Sequence, residues 1–352
     1  MLLEKFKRHP LGRAIGRQLA EFRADPAAPA ILMYHRVGSP RADPWGLSVS
    51  ATLFATQMAA LKRHRLVMSM DALVDALEQG RVPDRATCIT FDDGYMDNAT
   101  LACPIMAAAG LPATVFLSTA AIGMTELFWW DELIHLILLN PSAANCALDC
   151  GSIQLPLHWK AEIAPPADLA AWRADQPSPI ARRSAYVAVW RTMQELQPQQ
   201  REAAMARLRV LLDPAATIAC EPADLPLDRD AVAQLVASGI GLGGHGTTHT
   251  PLPTLAPDRR LAEIRDSRAA VIPLAQDRPV TGFAYPHGAW DGETRAMVAQ
   301  AGYRWAVTTQ GYRIDTAKFD RFTLPRLTVQ GWTGKDLLRI IGNCPVRAAD
   351  IG

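Results

Sequence analysis

The sequence predicts an α/β protein in which parallel strands and outer helices wind into a barrel, broken by one long and mostly helical insertion. Three observations lead there. Short apolar runs alternate with amphipathic segments, the signature of parallel strands joined by helical crossovers. About seven such units can be counted, which suggests a barrel rather than an open sheet. The alternation then lapses over residues 122–226, far too long a stretch for a simple connection.

In chain order, ILMYHRV reads as a buried strand and SATLFATQMAALKRH as a helix capped by Ser50. RLVMSM is a further strand candidate, followed by the helix DALVDALEQG closed by Gly80. ATCITF is a strand, NATLACPIMAAAG a helix ending at Gly110, and ATVFLST a strand. The interruption carries FWWDELIHLILL, a proline-rich stretch around Pro165 and Pro166, and the helical segments SAYVAVWRTMQELQ and QREAAMARLRVLL. It reads as a lid or wall over the barrel mouth. RDAVAQLVASG (helix), IGLGG (strand), PDRRLAEIRDSRAAVI (helix), VTGFAYP (strand), GETRAMVAQAG (helix) and RWAVTT (strand) resume the series, which LPRLTV and KDLLRIIG close. The divisions are therefore an N-terminal basic helix over 1–28, barrel over 29–121, insertion over 122–226 and barrel over 227–352.

Composition narrows the function classes. The chain has 352 residues, 49% of them hydrophobic and 20% charged, with a formal net charge of +1. These are ordinary values for a globular protein and give no argument for a nucleic-acid partner. No window approaches the roughly 18 apolar residues of a membrane span. At the N-terminus Glu4, Lys5, Lys7, Arg8 and Pro10 interrupt what would be a signal peptide's apolar stretch, so a cytoplasmic protein is expected. Leu11, Ile15, Leu19 and Phe22 recur at helical spacing among Arg13, Arg17 and Arg23. Such a helix either docks on its own domain or lies on an anionic membrane surface, a possible peripheral contact at the inner face of the membrane. The cysteines form no CxxC pair and are expected as free thiols.

The chemistry should lie at the carboxyl ends of the strands. His35 closes ILMY, Asp92 and Asp93 follow CITF, His245 and His249 follow IGLGG, and Tyr285, Pro286 and His287 follow TGFA. Each piece alone has a plain explanation: a solvated turn for Asp-Asp-Gly, a hydrogen-bonded core residue for His35. Together they supply a two-histidine, one-carboxylate metal site with a second carboxylate beside it. One aspartate would bind the cation and the other act on water held there.

TFDDGY, HGTTHTPL and FAYPHG, in this order, resemble the motifs of the polysaccharide deacetylase family, the NodB-homology group of carbohydrate esterases. The resemblance covers most of the chain outside the insertion and implies a distorted (β/α)7 barrel. Carried over residue by residue, it implies Asp92 as general base, with Asp93, His245 and His249 holding a divalent ion, usually zinc. Ligand types alone do not separate zinc from cobalt or nickel. The matching third motif departs from the family's Arg-x-Pro-Tyr: Ala284 stands in place of the arginine and His287 in place of the tyrosine. Arg326 in LPRLTV either replaces that missing cation or is a rim arginine paired elsewhere. The family's C-terminal Leu-x-His acid is also absent, since no histidine follows His287. LMYHRV instead resembles the permuted poly-N-acetylglucosamine deacetylases, which implies His35 as the acid.

The resemblance implies hydrolysis of an N-acyl group on an amino sugar in a polysaccharide or its precursor, with the backbone N–H of His287 facing the developing oxyanion. Tyr95, Tyr285, His287 and Trp130 are candidate substrate contacts. Trp129 and Trp130 present faces for sugar rings or belong to the insertion's own core, and Asp131 reads as a helix cap. Two other readings compete: a deformylase or deacetylase of a nucleotide- or lipid-linked sugar, and a non-catalytic carbohydrate-binding barrel. The second has no use for a base such as Asp92.

Overall fold

The runs AILMY and ATCITF form β1 (Ala30–Tyr34) and β3 (Ala86–Phe91), with every residue of both buried. Unbroken burial, rather than alternation, is what a strand covered on both faces requires. The computed structural model describes residues 27–161, 165–212 and 220–347, so nearly all of the basic helix expected over 1–28 lies outside the described residues.

The other barrel strands are β2 (Leu66–Val67) and β4 (Thr114–Leu117), then, beyond the insertion, β7 (Gly241–Gly244), β8 (Gly282–Ala284), β9 (Trp305–Val307) and β10 (Leu327–Thr328). All pair in parallel, in the order β9-β8-β7-β4-β3-β1-β10, with β2 alongside the start of β3. Apart from β2, which pairs with β3 off this path, each new strand is added beside the one before it in the path, and the last returns to the first. A parallel bridge between Val307 and Leu324, just before β10, joins the two ends of the curl. This is the expected (β/α) barrel-like arrangement, with a seven-strand path through the sheet.

Register decides what shares the rim. Tyr34 pairs with Phe91, Leu117 with Gly244, and Phe283 with Gly244. The residues that follow, His35, Asp92, His245 and Tyr285, therefore emerge on one edge. The barrel interior is filled by Phe116 and Trp305, packed edge to face with centroids 5.9 Å apart. Glycines make the room: a Cβ at Gly243 would overlap the Phe116 ring, and one at Gly282 the Trp305 ring. Outer helices begin on Ser50, Ser69, Asp228, Asp291 and Thr333, whose side chains accept an N–H of the first turn.

The insertion folds around a core of its own, including Leu133, Ile137, Leu148, Leu157, Tyr186, Met193, Met205 and Leu208. Helices Trp129–Leu133, Ala181–Glu195 and Pro198–Leu211 were expected in kind. An antiparallel hairpin, β5 (Ala144–Asp149) with β6 (Gln154–Trp159), was not. Pro156 inside its second strand hides it, as proline removes a ladder donor. The turn signal was nonetheless present, since Asp149 accepts the N–H of Gly151, a glycine at φ +90°. Arg182, buried beneath the hairpin, donates to the carbonyls of Ile137, Asn140, Ser142 and Lys160. The insertion returns through Leu225–Leu227, which bonds to the aspartate loop: Met96 N–H to Leu225 O at 2.8 Å and Leu227 N–H to Gly94 O at 2.8 Å. All six cysteines are free thiols. Among the described residues no helix is long and apolar enough to cross a membrane.

Gly282→Ala is expected to cost about 1–3 kcal/mol of folding stability through overpacking against Trp305, measured by urea denaturation. A variant as stable as the wild type would show that the ring has room to move.

Candidate metal centre and active site

Asp92 and Asp93 occupy the first turn beyond β3 and face different partners. Asp93 has φ +72° and is followed by Gly94 at φ +88°, so the chain reverses within two residues. A left-handed aspartate is uncommon, and such conformations concentrate at functional sites. The reversal turns the Asp93 carboxylate toward β7. There His245, whose N–H bonds Leu117 O at 3.0 Å, and His249, itself at φ +53°, present their imidazoles.

Three donor atoms converge. Asp93 Oδ1 lies 3.4 Å from His245 Nε2 and 3.2 Å from His249 Nε2, and the two nitrogens are 3.2 Å apart. Tetrahedral zinc with bonds of about 2.0–2.1 Å separates its ligand atoms by roughly 3.3 Å, so the triangle already has the size the ion demands. His245 Nδ1 is 2.8 Å from the carbonyl oxygen of Ala284. A carbonyl only accepts, so Nδ1 carries the proton and Nε2 offers its lone pair. Among the described residues Asp93 Oδ1 is buried with no hydrogen-bond partner, which leaves a carboxylate oxygen in want of a cation. All three residues are buried. They fit a divalent transition ion.

Asp92 points the other way. Arg326 grips it with both ends of the guanidinium, Nη1 to Oδ1 and Nη2 to Oδ2 at 2.6 Å each. Arg326 is fully buried and further held by Thr308 O (2.8 Å) and Thr90 Oγ1 (3.1 Å). Burial alone would raise the Asp92 pKa. The Arg326 charge and its hydrogen bonds outweigh it and hold the carboxyl down at about 2. The arginine absent at Ala284 thus has a counterpart from the last strand's approach. His35 Nε2 stands 4.0 Å from Asp92 Oδ2, with the ring partly open to solvent. Asn98 Nδ2 donates to the His35 carbonyl at 2.8 Å and is held in turn by Asp97, which pairs with Arg36. Sequence reasoning missed this support, although Asp97 and Asn98 are polar residues opening an otherwise apolar helix.

The substrate contacts expected on the rim separate into two groups. Trp130 does line a cleft, its ring 4.7 Å from that of His249. His287, at φ +56°, packs 4.4 Å from His249 on the other side. Burial, with the neighbouring cations, holds its pKa down at about 4. Tyr285 is corrected: it is wholly buried between Phe283 and Trp290, and its hydroxyl donates to Phe322 O at 2.9 Å. Tyr95 is corrected too: it is 1% exposed and lies beneath Trp130, out of reach of a ligand. Asp131 is no helix cap, since its carboxylate accepts the Tyr95 hydroxyl at 2.6 Å. The cleft itself has a volume of about 680 Å³ and runs from His249 and Thr248 to the insertion's Trp129, Trp130, Arg201 and Glu202.

A parallel barrel whose rim carries a buried, arginine-paired aspartate beside a His/His/Asp donor set defines a class of hydrolase-like barrels. Comparison with known proteins makes the assignment definite: the sequence model of the polysaccharide deacetylase family matches residues 79–147 and 197–306, and the chain belongs to that family. The Bacillus subtilis (strain 168) protein YxkH, whose name places it in the same group, is 31% identical over 100 residues. That match spans 28% of this chain and only 34% of the relative. Among solved structures, the Streptococcus pyogenes deacetylase PplD, determined in complex with acetate, superposes with a TM-score of 0.57 at 17% identity, covering 90% of this chain and 99% of the other. IcaB from Ammonifex degensii gives 0.54 at 14% identity, covering 90% and 97%. Both share the fold.

Arg326→Met, which strands the buried Asp92 charge, is expected to cost about 3–5 kcal/mol of stability, read by chemical denaturation. A loss below about 1 kcal/mol would place the pair among weakly coupled ions. Zinc uptake measured by mass spectrometry should be stoichiometric in the wild type and well below that in Asp93→Ala and His249→Ala; undiminished uptake would move the metal elsewhere.

Proposed function

We propose that the protein removes an N-acetyl group from an amino sugar in a polysaccharide or its precursor, with a divalent transition ion, zinc foremost, held by Asp93, His245 and His249. The observation that carries this reading is the division of labour between adjacent aspartates: one is committed to an arginine, the other to two imidazoles with an oxygen left unsatisfied. Membership of the polysaccharide deacetylase family supports the same substrate class.

Asp93, His245 and His249 would hold the ion, which when bound would supply Lewis-acid polarisation of the acyl oxygen and lower the pKa of the attacking water toward about 7. The remaining work falls to the chain. Asp92, kept anionic by Arg326, accepts a proton from the attacking water as its oxygen bonds the acyl carbon. The bidentate hold fixes the carboxylate's plane, so the accepting oxygen is oriented before substrate arrives. His35, beside Asp92 and partly open to solvent, delivers a proton to the departing nitrogen as the C–N bond breaks. The products are acetate and a free amine. His245 cannot serve as that acid, because its Nδ1 proton is committed to Ala284 O. His287 and Trp130 wall the site on either side of His249 and exclude water from the reacting group.

Asp92→Asn should retain stoichiometric zinc yet lose about 100- to 10,000-fold in turnover, the range of a general base, assayed as acetate released from an N-acetylglucosamine oligomer. More than a tenth of wild-type turnover in that variant would remove Asp92 from the mechanism. His35→Ala should fall by a similar factor; wild-type rates would assign the acid to another group.

A further inference from the structure

Tyr95 follows the two aspartates in sequence, and its hydroxyl lies inside a chain of directed hydrogen bonds. The Trp130 indole N–H donates to Tyr95 Oη at 2.7 Å. An indole N–H has no acceptor capacity, so the tyrosine oxygen accepts, and its own proton goes to Asp131 Oδ2 at 2.6 Å. The tyrosine ring is itself fixed. The Arg36 guanidinium lies 4.5 Å above its centroid, and the Phe128 ring meets it edge on at 4.8 Å. Trp130 is then set from several sides. It stacks on Phe128 (4.6 Å, 10° between planes), abuts Trp129 edge on (5.5 Å), and reaches His249 at 4.7 Å. Its remaining face borders the cleft of about 680 Å³.

We propose that Tyr95 and Asp131 are positioning residues that lock the Trp130 indole against His249 as the wall of the cleft, so that they set affinity for saccharide rather than the rate of hydrolysis. The proposal rests on the function proposed above. Neither residue can touch a ligand: Tyr95 is 1% exposed and Asp131 9%. Neither hydrogen-bonds to Asp92, Asp93, His245 or His249; their one directed link toward the donor triangle runs through the indole. What the pair controls is the angle of an aromatic face next to the donor triangle. An aromatic face binds the apolar side of a sugar ring only in the right orientation, and an indole with three rotatable alternatives loses that orientation when its N–H partner is removed. The two ends of the chain, Trp130 and Asp131, lie on the first helix of the insertion, and its middle, Tyr95, on the aspartate loop. The device therefore also couples the insertion to the barrel.

Two measurements test this, one of them independent of catalysis. In the metal-free protein, the indole N–H resonance assigned through Trp130→Phe should move upfield and exchange faster with water in Tyr95→Phe. A resonance left in place overturns the anchor. In the zinc-loaded enzyme, Tyr95→Phe and Asp131→Ala should raise KM for an N-acetylglucosamine oligomer about 5- to 10-fold, the equivalent of one lost hydrogen bond, while kcat falls less than about threefold. Asp131→Asn, which keeps an acceptor for the tyrosine, should restore KM to within about twofold of the wild type. A fall in kcat at constant KM, or no rescue by asparagine, would overturn the positioning role. If the wild type hydrolyses no acylated sugar, the failure belongs to the proposed reaction; oligomer affinity by calorimetry then replaces KM, with the same factors expected and an unchanged Kd overturning the proposal.

Discussion

Two carboxylates joined by one peptide bond can be buried together only if each has its own counter-charge, and the rest of the rim follows from how that is arranged. Asp92 and Asp93 are 2% and 4% exposed. Unscreened, their repulsion in a low-dielectric interior would push one of them to the neutral form. The left-handed turn at Asp93 prevents this by aiming the two side chains at different neighbours. Arg326 arrives from the segment before β10 and neutralises Asp92 through a planar, two-point contact. The imidazoles from the loop after β7 bring their Nε2 atoms to within 3.4 and 3.2 Å of Asp93 Oδ1, so the counter-charge for Asp93 would come from a cation shared by the three donor atoms. Because β1 sits between β3 and β10 in the sheet, the arginine reaches the aspartate across the strand that also delivers His35. One ion pair thus ties the beginning, the middle and the end of the barrel together at the point where the chemistry is proposed.

Backbone strain is concentrated in the same place. Three residues of the site, Asp93, His249 and His287, hold positive φ without being glycine. Each conformation costs on the order of 1 kcal/mol or more for a residue with a side chain, and a hydrophobic barrel with tightly interlocked Phe116 and Trp305 is rigid enough to maintain all three. The imidazole of His287 is thereby forced against that of His249, and burial keeps it neutral. A neutral ring there adds no charge beside the donor triangle. A tyrosine would have filled the same space with a longer side chain and a hydroxyl, so the departure at this position alters the shape of the pocket more than its charge.

Much of this was legible in the chain because the relevant signals are local. Strand runs without polar interruption, serine caps, closing glycines and the residues immediately after each strand are all properties of short windows, and in-register parallel pairing carries them onto a common rim. Asp92, Asp93, His245, His249 and His35 are found that way. Arg326 was visible only as one of two possibilities, because pairing across the sheet depends on strand order, which no window contains. Tyr95 and Tyr285 were misplaced for a related reason. Proximity to a motif says which rim a residue is near, but not whether its side chain points out of the barrel mouth or back into the core. The hairpin at 144–159 was lost because its register places Pro156 in a strand and spreads few apolar residues over both faces.

The insertion is best understood as part of the active-site wall and not as an appended domain. Its interior is separate, since the side chains clustered around Tyr186 and Leu157 do not merge with the barrel core. Two of its attachments to the barrel, however, fall on the loops that carry Asp93 and His249. Its final segment pairs with the backbone of Gly94–Met96, and Arg201 on its last long helix donates to Thr248 O and Thr250 Oγ1, either side of His249. A segment that merely decorated the surface would leave those loops free to fray, and loops are the least stable parts of a fold. By supplying hydrogen-bond partners to the aspartate loop on one side and the histidine loop on the other, the insertion restricts the donor atoms to one geometry. The cleft beside these attachments is bounded by barrel residues at its floor and insertion residues along its flank, so differences in insertion sequence would reshape the flank while leaving the donor geometry at the floor in place.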